Sequence, residues 1–137
     1  MKIRFLLLII TFNLGGEAMS QDFLSSYKWK NRVIILLSSV PENDMLDQQC
    51  RILDEFSPGV KERDLVIVSN QADSTGDNTK RSIEKKFDIP DTGFRFILIG
   101  KDGTVKMDRT EQVSAEELFA IIDAMPMRRR EMKDQNR

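Results

Sequence analysis

Two short, unbroken aliphatic runs constrain this chain more than anything else in it. Val33-Ile34-Ile35-Leu36-Leu37 is rich in β-branched residues and shows no polar alternation, so it predicts a strand covered on both faces. Leu65-Val66-Ile67-Val68 predicts a second. Between them Pro41-Glu42-Asn43-Asp44 opens a helix, with acids at its positive dipole end and Asn43 or Asp44 able to cap it. Leu46, Cys50 and Leu53, joined by Met45, Ile52 and Phe56, recur at helical spacing. They predict the buried stripe and place Cys50 in the core. Ser57-Pro58-Gly59 marks the stop. A strand, helix and strand of this kind close as a right-handed parallel crossover.

The second half changes character. A polar loop from Asn70 to Asn78 precedes a short basic helix, residues 79–87, whose apolar contacts are Ile83 and Phe87. Phe94 to Ile99 predicts a third strand, and Asp102-Gly103 in Gly100-Lys101-Asp102-Gly103 turns it back into a fourth at residues 104–109. Ser114 with Glu117 forms a capping box. Leu118, Phe119, Ile121, Ile122 and Met125 line one face of the last helix, which Pro126 stops. The order β-α-β-α-β-β-α predicts an α/β, thioredoxin-like three-layer sandwich around a central four-stranded mixed sheet. Trp29, the lone tryptophan, is expected to anchor the polar lead-in onto that sheet.

Composition then removes the chemistry such a fold usually carries. There is no histidine and one cysteine, hence no imidazole-activated nucleophile, no zinc ligand set, and no Cys-x-x-Cys pair. Where redox members of this fold place their cysteines, at the junction of first strand and first helix, the chain reads Ser38, Ser39, Val40, Pro41, Glu42, Asn43, Asp44. This is a vestigial active-site loop without a thiol. Cys50 is the one weak catalytic candidate, and any thiol-dependent oxidoreductase or peroxidase-like activity must use it with an external thiol. Asp73, Thr75, Asp77, Thr79 and Glu84 have calcium-loop spacing, but Asn78 stands where glycine is needed. The glycines near Lys101 lack P-loop spacing. No cofactor and no metal is expected, and the balance leans away from an enzyme.

Lys2 and Arg4, the apolar stretch from Phe5 to Leu14, and small residues at Ala18 and Ser20 have the form of an export signal cleaved before Gln21. The stretch is too short to span a bilayer, which takes roughly 20 residues. The expectation is therefore a signal peptide at 1–20, a domain at 21–126 and a basic tail at 127–137, in a periplasmic or secreted protein with no integral span. Two basic residues and one acidic residue leave with the signal, so the remainder carries −2. Five basic and two acidic residues fall in residues 126–137, giving +3 there and −5 on the body. That balance argues against nucleic acid. It singles out Arg128, Arg129 and Arg130 as forked donors for an anionic partner. Arg32 and Lys28 join such a patch only if the tail folds back to the first strand.

Four segments carry a resemblance: Tyr27-Lys28-Trp29-Lys30-Asn31-Arg32, Glu62-Arg63-Asp64, Gly100-Lys101-Asp102-Gly103, and Ile122-Asp123-Ala124-Met125-Pro126-Met127-Arg128-Arg129-Arg130-Glu131-Met132. Together they resemble the P-DUDES family, a domain of unknown function in bacterial exported proteins, also found in vertebrate sushi-repeat-containing proteins and equarin. The likeness spans nearly all of residues 21–137, and the Met-Pro-Met-Arg-Arg-Arg-Glu-Met run is its most specific part. It implies a thioredoxin- or peroxiredoxin-like fold and, from the vertebrate members, matrix or adhesion roles. It implies no catalytic set. The combined expectation is an exported, non-catalytic binding module for a macromolecular or anionic partner.

Overall fold

The computed structural model describes residues 23–89 and 93–137; the expected export signal lies outside them. A 3-10 turn, Phe23–Ser26, leads to β1 (Arg32–Ser38), α1 (Asp44–Glu55), α2 (Ser57–Glu62) and β2 (Leu65–Ser69). Then come α3 (Asp77–Lys86), β3 (Phe94–Ile99), β4 (Val105–Arg109), α4 (Ala115–Asp123) and α5 (Pro126–Gln135). The sheet order is β2-β1-β3-β4. β1 and β2 are parallel, and β3 is antiparallel to both β1 and β4. This is the expected thioredoxin-like sandwich.

Every residue of β1 is buried, as an aliphatic run without alternation requires. Its two faces serve two cores. Ile34 and Leu36 pack with Leu46, Leu53, Val60, Leu118 and Ile122 from α1, α2 and α4. Val33, Ile35 and Leu37 pack with Leu24, Ile83 and Phe87 on the other side. The strand's period of two distributes successive residues between the layers.

Two prolines expected to stop helices also start them. α1 does end at Glu55, but Pro58 sits in the first turn of α2, where no intrahelical hydrogen bond is lost. Gly59 then lets the Phe119 ring close in: a Cβ there meets ring carbons at 2.7 Å. Likewise α4 ends at Asp123 and Pro126 opens α5. The segment expected as a basic tail is helical over Pro126–Gln135.

The buried stripe of α1 also corrects the expectation. Leu46, Gln49 and Leu53 are buried, and Cys50 is exposed. Spacing alone allows either set. Gln49 decides it, because its amide donates to the Val113 carbonyl at 2.9 Å and accepts from the Val113 N–H at 2.7 Å. Trp29 differs as well. It holds the lead-in through its main chain, donating its N–H to the Lys101 carbonyl at 2.7 Å, while 62% of the residue is exposed. Its φ of +68° is a strained conformation for an aromatic residue.

Candidate functional site

At the position of redox chemistry in this fold, the described residues hold a closed polar junction. The Asn70 side chain accepts from the Ser38 N–H at 3.0 Å and donates to the Ser38 carbonyl at 2.9 Å, extending the pairing of β1 and β2 by one amide. Asn43 caps α1 through the Leu46 N–H and donates to the Gly93 carbonyl, each at 3.0 Å. The Ser39 N–H reaches that same carbonyl. Gly93 takes a φ of +89°, a conformation that suits glycine. Ser39 and Asn43 thus meet the segment before β3, while Ser38 is tied to Asn70, and these hydrogen bonds hold the loop. Pro41, Glu42 and Asp44 are exposed.

Charge gathers at the opposite end of the sheet, where β1 and β2 begin. Arg32, 1% exposed, grips Glu131 with both terminal nitrogens at 3.1 and 3.2 Å and donates to the Arg63 carbonyl at 3.0 Å. Lys101 joins Glu131 to Asp64. Arg63 forks onto Asp123 at 3.0 and 2.8 Å and lies 4.0 Å from the Phe119 ring centre. Arg128, also 1% exposed, bridges Asp123 and Glu62 at 3.1 and 2.9 Å. Four cations thus meet four carboxylates, drawn from Arg32, from Glu62-Arg63-Asp64, from Lys101, and from Asp123, Arg128 and Glu131. These lie in the four segments that carry the family resemblance, so residues scattered along the chain form one cluster.

This arrangement moves Arg32 and Arg128 out of any surface patch. The last helix does fold back onto β1, but it brings Glu131 with it, and both arginine side chains are 1% exposed and ion-paired. Arg129 and Arg130 are exposed on α5, and among the described residues neither has an ion pair or side-chain hydrogen bond. Lys28 is exposed too, with Nζ 5.4 Å from the Trp29 ring centre. Burial pushes the Cys50 thiol pKa up, and Asp47 adds to the effect, which leaves less thiolate to react. Among the described residues no metal-holding group of His, Cys, Asp or Glu side chains occurs. No helix there is long and apolar enough to cross a membrane.

Burial tends to raise the Glu131 and Asp123 carboxyls. Hydrogen bonds from Lys101 and Arg32 to the first, and from Arg63 and Arg128 to the second, outweigh it and hold both below the ordinary range. Asp102 in the adjacent hairpin follows the same logic: burial opposes, Thr104 and Lys106 prevail, and its pKa falls to about 2. A carboxyl depressed in the folded state contributes stability that is complete above its unfolded pKa, about 4. That contribution is lost as pH falls through the folded value. Chemical denaturation is therefore expected to give a nearly constant midpoint from about pH 7 to about 5, then a steady decline toward about 2. An undiminished midpoint at about pH 3 rules out this contribution.

The reduced 2-Cys peroxiredoxin of Plasmodium vivax is similar in structure, with a TM-score of 0.56, 18% sequence identity, and coverage of 78% of this chain and 84% of that one. Such a likeness shows a shared fold. No curated protein matches the sequence significantly. The family described as a domain of unknown function, DUF4174, matches residues 23–131, a span that takes in every member of the charged cluster. The chain belongs to the DUF4174 family.

Proposed function

We propose that this protein is an exported, non-catalytic binding module that holds an anionic macromolecule of the envelope or extracellular space. The observation that carries this reading is the division of labour along α5. Arg128 and Glu131 lock the helix to the body, while Arg129 and Arg130 stand exposed on a fixed support, unpaired among the described residues. Guanidinium groups displayed in this way suit carboxylate, sulfate or phosphate. The absence of a thiol at the β1–α1 junction supports a role without redox turnover. The form of residues 1–20 and the resemblance to P-DUDES proteins support export. Thiol chemistry at Cys50 stands second: its exposure favours it, and its raised pKa opposes it.

Retention on immobilised heparin tests the reading. With both Arg129 and Arg130 changed to alanine, each lost cation removes about 1 kcal/mol of attraction to a polyanionic surface. The pair is expected to weaken binding by on the order of 30-fold, with elution at clearly lower salt and unchanged thermal stability. Equal retention of the variant and the parent protein would sink the role of α5.

A further inference from the structure

A cleft of about 200 Å³ opens where the β3–β4 hairpin faces the start of α5, lined by Arg32, Gly100, Lys101, Asp102, Lys106, Met125, Pro126 and Met127. It stands apart from the Arg129 and Arg130 pair, and nothing in that reading depends on it. Two independent features of its wall are donors without acceptors. Among the described residues, Nε of Arg32 is the buried side-chain nitrogen or oxygen that has no hydrogen-bond partner, although one terminal nitrogen donates to the Arg63 carbonyl and to Glu131 and the other to Glu131. A buried donor left unmatched costs about 1–3 kcal/mol, a cost that a ligand oxygen would remove. α5 begins at this cleft with Met125 as its N-cap and no side-chain cap, so the first-turn N–H groups have no acceptor within the helix and lie at its positive dipole end. Lys101 and Lys106 also line the cleft.

The charges around the cleft also limit what it can take. Lys101 is held by Asp64 and Glu131, and Lys106 by Asp102 at 3.0 Å. Little uncompensated positive charge remains, so a dianion meets repulsion from Glu131 and Asp102 with no free cation to offset it. A singly charged head suits the unmatched donors. The remaining wall, Met125, Pro126 and Met127 with the lysine stems, is apolar. We infer that this cleft binds a small monocarboxylate carried on a short aliphatic body, its carboxylate at Arg32 and the first turn of α5 and its body against the methionines.

The experiment is an amide NMR titration of the purified protein with butyrate, inorganic phosphate and butanol. Butyrate is expected to shift the Gly100, Lys101, Asp102, Met127 and Arg128 amides saturably in the millimolar range. Phosphate, lacking the body, and butanol, lacking the charge, are each expected to bind about tenfold more weakly or not at all. Arg32 cannot serve as the variant, because its loss disturbs the fold. Met127→Glu can: an acid in the first turn favours the helix, yet it places a carboxylate and its bulk in the cleft. That variant is expected to keep its melting temperature and to lose at least about tenfold in butyrate affinity. Three results would overturn the inference: no saturable shift with butyrate, phosphate binding as tightly as butyrate, or undiminished butyrate binding by the folded Met127→Glu variant.

Discussion

Glu131→Ala is expected to destabilise the protein by about 3–5 kcal/mol, the range for removing one partner of a buried ion pair. The mutation strips the carboxylate from the two cations that hydrogen-bond it, Arg32 at 1% side-chain exposure and Lys101 at 9%, and from Arg128 at 3.7 Å. Lys101 keeps Asp64 at 2.9 Å. Arg32 keeps only the Arg63 carbonyl, so its charge stays in the interior without a counterion. Glu131 itself is 22% exposed, so water entering its place moderates the loss and favours the lower half of the range. Against a total stability of roughly 5–15 kcal/mol for a domain, even 3 kcal/mol is about 10–20 °C in melting temperature. Glu131→Gln is expected to lose less, since an amide oxygen still accepts one hydrogen bond. Arg129→Ala, two positions away and exposed, is expected to stay within about 0.5 kcal/mol. Urea denaturation reads all three, and a Glu131→Ala curve superimposed on the parent's refutes a stabilising role for the Glu131 ion pairs.

Why this cluster could not be assembled from the residues alone follows from its chemistry. Aliphatic runs and helical spacing report which face of an element is dry, so β1, β2 and the two-core sandwich were legible. An arginine in the interior leaves no such trace, because Arg32 and Arg128 look the same in sequence whether solvated or sealed. Partner choice depends on where helices end, and here the proline rule misled: Pro126 reads equally as a stop and as a first-turn residue. Taking it as a stop turns Arg128 and Glu131 into tail residues. The one trace in the sequence is the group of four charged segments that carry the family resemblance, each holding at least one member of the cluster. Nothing in any one segment says that it meets the others. The cleft was illegible for the same reason, since its wall joins a hairpin to a helix start.

Gln49→Leu is expected to destabilise the protein by about 3–4 kcal/mol, whereas Cys50→Ser, one residue on, is expected to change stability by no more than about 0.5 kcal/mol. Leucine keeps nearly the volume of glutamine, so packing is not the issue. What it removes is the pair of hydrogen bonds with which Gln49 serves the main chain of Val113. Gln49 is fully buried and Val113 is 1% exposed, so water cannot replace either bond. Each main-chain group left unmatched costs about 1–3 kcal/mol, and the hydrophobic gain of the leucine offsets part of the sum. This amide ties α1 to the segment before α4, two elements that flank the same core, so the loss is global rather than local fraying. Cys50 faces outward, and a hydroxyl in place of its thiol leaves no buried group unpaired. The ordering reverses what apolar periodicity alone implies, with cysteine in the core and glutamine in water. Equilibrium denaturation of the two variants decides between them: a Cys50→Ser loss larger than that of Gln49→Leu would return the thiol to the core and rotate α1 by one residue.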